Sequence, residues 1–238
     1  MPSKTAKYKA KVTAIKKLNN RVTEFSFKYI SPEELMFEPG QFITVYVADK
    51  TLRTYSISSD YKNIKTMSIT VSLIQNGIGS TFLTNLKIGD EITFMGPSGF
   101  LRIKEPLAEN LHFFASGTGI APFMPMFYKL ADTNFLGNIK LYFGVRNIED
   151  LFYFEELKKL KSTMKSFSYQ IYLSDNTINV DAKLEKDFYR GYLNPVAETL
   201  HNPNDHYYLC GHPLMVAGVE EQLITNKIPP ENIICERF

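Results

Sequence analysis

Residues Gly117-Thr118-Gly119-Ile120-Ala121-Pro122 combine three properties that suit an anionic ligand. A Gly-x-Gly turn lets backbone approach a bound group with no Cβ in the way. Pro122 sits where a first helical residue needs no N–H. The helix start behind it offers free N–H donors and the positive end of the peptide macrodipole. Pyrophosphate is the expected ligand, and a plain strand–helix connection is the competing reading for this stretch alone.

A second group lies upstream. In Arg53-Thr54-Tyr55-Ser56-Ile57-Ser58-Ser59, strand alternation puts Arg53, Tyr55 and Ile57 on one face and Thr54, Ser56 and Ser58 on the other. A guanidinium is a planar, bidentate phosphate donor. A tyrosine ring offers a stacking face, and a serine hydroxyl reaches a ring nitrogen. An edge strand with an exposed arginine fits the same residues. Gly77-Ile78-Gly79-Ser80-Thr81 repeats the anion logic at a second helix start, although Ser and Thr caps also occur without a ligand. Gly96-Pro97-Ser98-Gly99 reads as a turn.

The elements that must position these groups change character midway. Strands are expected over 8–18, 21–27, 42–47, 53–57, 67–74 and 91–96, with turns at Pro39-Gly40, 87–90 and 96–99 and one short helix over 80–86. Such spacing predicts a small antiparallel β-barrel. After a polar stretch at 104–110, strands (111–115, 139–145, 169–173, 207–210, 233–238) alternate with helices (122 to about 131, 150–161, 213–225). That pattern predicts a parallel α/β sheet, which binds ligands at the carboxyl ends of its strands. Gly117, Gly144-Val145-Arg146, Ser174-Asp175 and Cys210-Gly211-His212-Pro213 all fall there. The expected domains are 1–106 and 107–238.

Composition excludes several classes. A net charge of +2, with lysines and acids interspersed, argues against nucleic acid. No apolar leader precedes Lys7 and no membrane-length apolar run occurs, so the chain is expected to be cytoplasmic, with no membrane span. Two cysteines, Cys210 and Cys235, are too few for a Cys-ligated [2Fe–2S] centre or a structural zinc site. The histidines, His112, His201, His206 and His212, lack ligand spacing and read as solvated or core residues. No metal is expected, and any electron carrier must be an organic cofactor.

In this order the motifs resemble the ferredoxin–NADP reductase superfamily, along essentially the whole chain. The likeness rests on Arg53-x-Tyr55-Ser56-x-x-Ser59, Gly77-x-x-Ser80-Thr81, Gly96-Pro97-x-Gly99, Gly117–Pro122, Phe143-Gly144-x-Arg146, the 150–157 segment, Cys210-Gly211-x-x-x-Met215 and a terminal Glu236-x-Phe238. It implies a flavin-binding antiparallel β-barrel followed by a nucleotide-binding α/β domain with a parallel sheet. Arg53 would bind a flavin phosphate within the Arg53-Thr54-Tyr55-Ser56 segment. Tyr55 would stack on the isoalloxazine, and Ser56 would bond near flavin N5. Val71, Ser72 and Leu73 would pass along the flavin edge, and Gly77, Gly79, Ser80 and Thr81 would hold its phosphate end.

On the nucleotide side the likeness implies a path along Gly117, Thr118, Gly119 and Pro122, with Arg146, Ser174 and Asp175 further out. Cys210, Gly211 and Met215 would lie under the nicotinamide. Ser56, Cys210, Glu236 and Phe238 would serve catalysis, with Phe238 covering the flavin face. FAD is the expected cofactor, with FMN possible, and NADH or NADPH the substrate. Asp175 after Ser174, where NADPH-specific members carry arginine, favours NADH, although Lys183, Lys186 and Arg190 lie downstream. Hydride would pass from nicotinamide C4 to flavin N5, and electrons would leave singly to a separate ferredoxin, flavodoxin or oxygenase. A monomer is expected. Reduction of free flavin or a quinone, and a non-catalytic flavin-binding subunit, are the alternative readings.

Overall fold

The computed structural model describes residues 3–175 and 186–237. In chain order the elements are β1 (Ala6–Lys17), β2 (Val22–Ser31), β3 (Phe42–Ala48), β4 (Thr51–Ser56), β5 (Thr66–Ser72), α1 (Ile78–Asn85) and β6 (Glu91–Ser98). They continue with β7 (Asn110–Ser116), α2 (Phe123–Asp132), β8 (Asn138–Val145), α3 (Phe154–Thr163), β9 (Phe167–Leu173) and β10 (Phe188–Arg190). The last are α4 (Asn194–Ala197), β11 (His206–Gly211), α5 (Pro213–Thr225) and β12 (Ile233–Arg237). Two compact units form: Met1–Arg102 with Ala121–Leu130, and Ile103–Ile120 with Ala131–Phe238.

The first unit is a six-stranded antiparallel sheet in the order β4-β3-β6-β1-β2-β5. Alternation decides its faces. Tyr8, Ala10 and Val12 of β1 point inward while Lys7, Lys9 and Lys11 are exposed. Phe25, Phe27 and Tyr29 of β2 do the same from the neighbouring strand. Tyr8 stacks on Phe94 at 5.2 Å between centroids, and Leu83 of α1 enters this core with no exposed surface. The two end strands meet through an antiparallel bridge of Ile57 with Ile69 and a Ser58 N–H to Ser68 O bond of 2.8 Å, so the sheet curls back on itself.

The second unit is a six-stranded all-parallel sheet, β10-β9-β8-β7-β11-β12. Its central strands are apolar without alternation; Leu111 to Ala115 are all buried, as expected for strands covered on both faces. Strand order reverses between β7 and β11. Ligands in open α/β sheets bind beyond the carboxyl ends of the strands at such a reversal.

Some element limits differ from the sequence pattern. The helix expected from Asp150 begins at Phe154. Residues 148–150 instead form a short 3-10 turn, capped by the Asn147 side chain accepting from the Asp150 N–H at 3.0 Å. Tyr153, at φ 60°, breaks the helical path between them. Gly117–Ile120 is likewise a 3-10 turn, so Pro122 ends the turn and α2 starts one residue later. β10 and α4 are too short to leave a periodic signal.

At the opposite, amino-terminal end of the parallel sheet lies a buried polar network. His112 Nε2–H donates to Asp205 Oδ2 at 3.1 Å, while Asp205 Oδ1 accepts from Asn110 Nδ2 (2.8 Å) and Asn202 Nδ2 (2.7 Å). The imidazole is stacked between Tyr207 and Tyr142, and burial holds its pKa below the ordinary histidine value. One carboxylate thereby ties β7 to the turn that starts β11. Asp205→Ala removes the shared acceptor of three donors, of which His112 is buried, and is expected to destabilise the chain by about 3 kcal/mol. Urea denaturation checks this, and a change below about 1 kcal/mol would remove the network from the stabilising set.

Candidate functional site

In the barrel unit the predicted residues fall along β4. Arg53 is exposed, and its Nη1 donates to the neighbouring Leu52 carbonyl at 2.8 Å. Thr54 is exposed opposite Thr44. Tyr55 is half-buried, and burial raises its phenol pKa. Ser56 is buried at 6 % exposure, and its Oγ has no hydrogen-bond partner. Ser59 Oγ is also buried and unpartnered, whereas Ser58 Oγ accepts from Thr70 Oγ1 at 3.0 Å. A buried hydroxyl without a partner costs about 1–3 kcal/mol, and Ser56 Oγ keeps its hydrogen-bonding capacity uncommitted, as do Ser59 Oγ and Tyr29 Oη.

The start of α1 closes on this strand. A Cβ on Gly79 would stand 2.4 Å from the Tyr55 hydroxyl and 3.1 Å from Arg53 Cγ, so only glycine fits there. Ser80 Oγ accepts from the Ile74 N–H at 2.8 Å and keeps its own proton to donate. The Thr81 N–H already closes the first turn on the Gly77 carbonyl at 2.8 Å. The N–H groups of Ile78, Gly79 and Ser80 precede that bond and have no intrahelical acceptor. Val71 is buried, and Ser72 and Leu73 are half-buried at the end of β5, the strand bridged to β4 through Ile57 and Ile69. The structure brings Arg53, Tyr55 and Gly79 into one neighbourhood, with Ser56 next to Tyr55 along β4. These residues fit a flavin: an exposed guanidinium, open helix-start donors, a ring beside a backbone without Cβ, and an orphaned buried hydroxyl.

In the sheet unit the second cluster sits where strand order reverses. Gly117 takes φ 52° with open space around it. A Cβ on Gly119 would stand 2.1 Å from the Cys210 carbonyl oxygen. Gly211, at φ 137°, presses its Cα side against Ser116, where a Cβ would lie 2.4 Å from Oγ and 2.6 Å from O. Ser116 Oγ accepts from the His212 N–H at 2.9 Å, and His212 Nδ1 accepts from the Leu214 N–H at 3.3 Å to cap α5. Pro213 then occupies the first helical position. Thr118 is half-buried, Pro122 is buried, and Met215 is partly buried on the core below.

Ser116 is absent from the sequence reading, and His212 enters it only within the Cys210–Pro213 strand-end motif, with no role of its own. A hydroxyl ending an apolar strand just before a glycine turn is the signal for the first. For His212 it is the His-Pro step at a helix start.

Further along the same edge, the Asp175 N–H donates to the Arg146 carbonyl at 2.8 Å and the Ser174 N–H to Val145 at 3.1 Å. Arg146 Nε lies 3.9 Å from Asp175 Oδ2. This pair is solvent-exposed on the arginine side and contributes little to stability. Lys186 and Arg190 are exposed, and Lys183 lies outside the described residues.

Glu236 faces Cys210 across the β11–β12 ladder. Cys210 has no exposed surface; burial first, then Glu236 and Cys235, push its thiol pKa up, so the sulfur stays protonated. Glu236 Oε2 is buried without a partner, and burial pushes its carboxyl up to about 7. Arg237 and Cys235 both contact Glu220 of α5, which anchors β12. Phe238 lies outside the described residues. Among the described residues no His, Cys, Asp and Glu group is arranged to hold a metal ion, and no helix is long and apolar enough to cross a membrane.

Comparison with known proteins finds a match for each half of the chain. Residues 9–103 match the oxidoreductase FAD-binding domain and residues 113–221 the oxidoreductase NAD-binding domain. The chain is 31 % identical over 236 residues to the toluate 1,2-dioxygenase electron transfer component of Pseudomonas putida, covering 98 % of this chain and 68 % of the relative. It is 27 % identical to ferredoxin–NADP reductase B of Sorangium cellulosum, covering 97 % of each. It superposes on an Amycolatopsis cytochrome P450 reductase with a TM-score of 0.87 at 21 % identity (98 % of this chain, 70 % of that one). On phthalate dioxygenase reductase the TM-score is 0.76 at 24 % identity (96 % and 67 %). The chain spans about two thirds of the length of several oxygenase-linked relatives.

Fold and matched domains define a flavin- and pyridine-nucleotide-dependent oxidoreductase. The chain belongs to the ferredoxin–NADP reductase superfamily, with FAD as its flavin and NAD(P)H as its reductant.

The Glu236 carboxyl carries a sign for stability. Its folded-state pKa is above its unfolded value, so the native state holds the extra proton and stability falls as pH rises from about 4.5 through about 7. Glu236→Gln removes that loss. The stability difference between variant and parent, from urea curves at pH 5 and pH 8, is expected to grow in the variant's favour with pH; a difference that stays constant would mean that Glu236 is not buried as described.

Proposed function

We propose that this chain passes electrons from NADH, through bound FAD, to a separate one-electron acceptor of the ferredoxin or oxygenase type. Flavodoxin fits the same role. The observation that carries the reading is the buried, unpartnered Ser56 hydroxyl at the end of a strand that presents an exposed Arg53 guanidinium. The names of the relatives support the acceptor class, and the two cysteines of this chain cannot ligate an iron–sulfur cluster of their own.

Bound FAD supplies the exchange between a two-electron hydride donor and a one-electron acceptor. The protein's residues do the rest. Arg53, with the open N–H groups at the start of α1 and the Ser80 and Thr81 hydroxyls, holds the phosphate end. Tyr55 offers its ring face, and Gly79 keeps its hydroxyl end fixed. Ser56 Oγ orients the ring edge that receives hydride. The backbone of Val71, Ser72 and Leu73 runs along the other edge.

Gly117, Thr118, Gly119 and Pro122 accept the pyrophosphate of NADH, with Gly211 and Met215 shaping the floor for its nicotinamide. Cys210, fully buried and uncharged, backs that floor without adding a desolvated charge. Glu236 sits between charge states near neutral pH and holds a proton at Oε2 for the reaction. Phe238 is assigned to cover the flavin face. Asp175 accepts from a free ribose hydroxyl and repels a 2′-phosphate, which favours NADH, and Arg146 keeps that carboxylate in place. Free cysteines at 210 and 235 suit a reducing, cytoplasmic setting, with the chain acting as a monomer.

Arg53→Ala is expected to weaken flavin retention at least tenfold, roughly one charge-assisted bond, read as visible flavin absorbance per mole of purified protein. Full occupancy in the variant would take Arg53 out of the site. Asp175→Arg is expected to move the kcat/KM ratio of NADPH over NADH upward by about tenfold. An unchanged ratio in a folded variant would end the role given to Asp175.

A further inference from the structure

The barrel unit takes in Ala121–Leu130 as well as its own strands, so α2 packs with the barrel although it follows β7 in the chain. Only Ala121 and Pro122 separate this helix from the Gly117–Ile120 turn. Met126 is fully buried, and Lys129 follows one turn later on the same side of the helix. Both reach the Glu38-Pro39-Gly40-Gln41 turn that leads into β3. A Cβ on Gly40 would stand 2.4 Å from Met126 Cε, so the methionine tip lies against bare glycine backbone. Lys129 Nζ lies 3.2 Å from Glu38 Oε2.

This turn is tightly held. The Gln41 N–H donates to the Glu38 carbonyl at 3.1 Å, and the Glu38 N–H donates to Gln41 Oε1 at 2.8 Å. Pro39 in the second place and Gly40 in the third, at φ 101°, suit a type II turn. A Cβ on Gly40 would also lie 1.9 Å from the Leu101 carbonyl oxygen, so only glycine fits. Gln41 is buried at 3 % exposure, and its carbonyl accepts from the Ile57 N–H at 3.0 Å. Phe42, the next residue, pairs with Ser56 across the β3–β4 ladder. One corner therefore carries both the cross-strand partner of Ser56 and the acceptor for the N–H that follows it.

We infer that Met126 and Gly40 are positioning residues for electron entry from NADH: through the Glu38–Gln41 turn, α2 sets where the Ser56 hydroxyl stands. The inference rests on the flavin reading above and adds to it what locates that hydroxyl. Ser56 Oγ has no hydrogen-bond partner, so no bond of its own fixes it, and the backbone that carries it must do so. A misplacement of about 1 Å costs on the order of a hundredfold in rate, even when the change that causes it is remote. The chain that leaves the Gly117–Ile120 turn is thus the chain that braces Ser56. Volume at position 126 matters here, and the sulfur does not.

The test uses the flavin-loaded full chain, mixed without oxygen with a range of NADH concentrations while bleaching of the flavin band is followed. Met126→Ala is expected to lower the limiting bleaching rate about tenfold, with the half-saturating NADH concentration and the FAD per chain unchanged. Met126→Leu conserves volume and is expected to recover the parental rate within about twofold. In a Ser56→Ala background, Met126→Ala is expected to add less than about twofold, because the hydroxyl it positions is gone. Lys129→Ala cuts the tie to Glu38 and is expected to slow bleaching about threefold. It decides the case should Met126→Ala lose its flavin. A parental rate in Met126→Ala, or in Lys129→Ala where that variant decides, overturns the inference. So does an equal loss in the parent and Ser56→Ala backgrounds, or a loss that Met126→Leu does not repair. A parent whose flavin NADH does not bleach overturns the flavin reading instead.

Discussion

Gly119 and Gly211 meet where the Gly117–Ile120 turn crosses the end of β11, and the two backbones approach so closely that neither position has room for a methyl group. The rest of the nucleotide end depends on that contact. It fixes the turn after β7 against the turn after β11, on either side of the reversal in strand order. With the two turns locked, Ser116 can brace His212, His212 can cap α5, and Pro213 can open a helix with its donors facing outward. A rigid rim of backbone amides results, and rigidity is what makes preorganised donors effective.

The barrel unit solves a similar problem with side chains of graded exposure on one strand. Arg53 is exposed, Tyr55 is half-buried and Ser56 is sealed. Charge lies where water screens it, and an uncommitted hydroxyl lies where a partner is worth most. Glu236 and Cys210 follow the same rule in the sheet unit. Burial keeps the Cys210 thiol neutral and pushes the Glu236 carboxyl up to about 7, so this facing pair adds little fixed charge to the β11–β12 ladder.

Much of this was legible in the residues. Alternation in Tyr8–Val12 and unbroken apolarity in Leu111–Ala115 separate an antiparallel sheet with one wet face from a parallel sheet with none. Glycine and proline at 117, 119 and 122 mark the turn, because few other residue types satisfy its geometry. What escaped was decided by tertiary partners. The helix start at Phe154 depends on a left-handed Tyr153 that no apolar period records. His112 looked like an ordinary core or solvated histidine, since its partner Asp205 is distant in sequence. Ser116 acts through a residue 96 positions away. A bulge at Val47 leaves no trace in composition, because it is a property of pairing between β3 and β4.

The Asp205 network has a consequence for how such a chain changes over generations. It gathers the polar anchoring of β7, β8 and β11 at the strand starts, while the loops that meet the nucleotide leave from the strand finishes. Drift in one set of positions does not draw on the other. A lineage can therefore exchange its nucleotide loops, and with them its choice of coenzyme, while inheriting the same foundation unaltered.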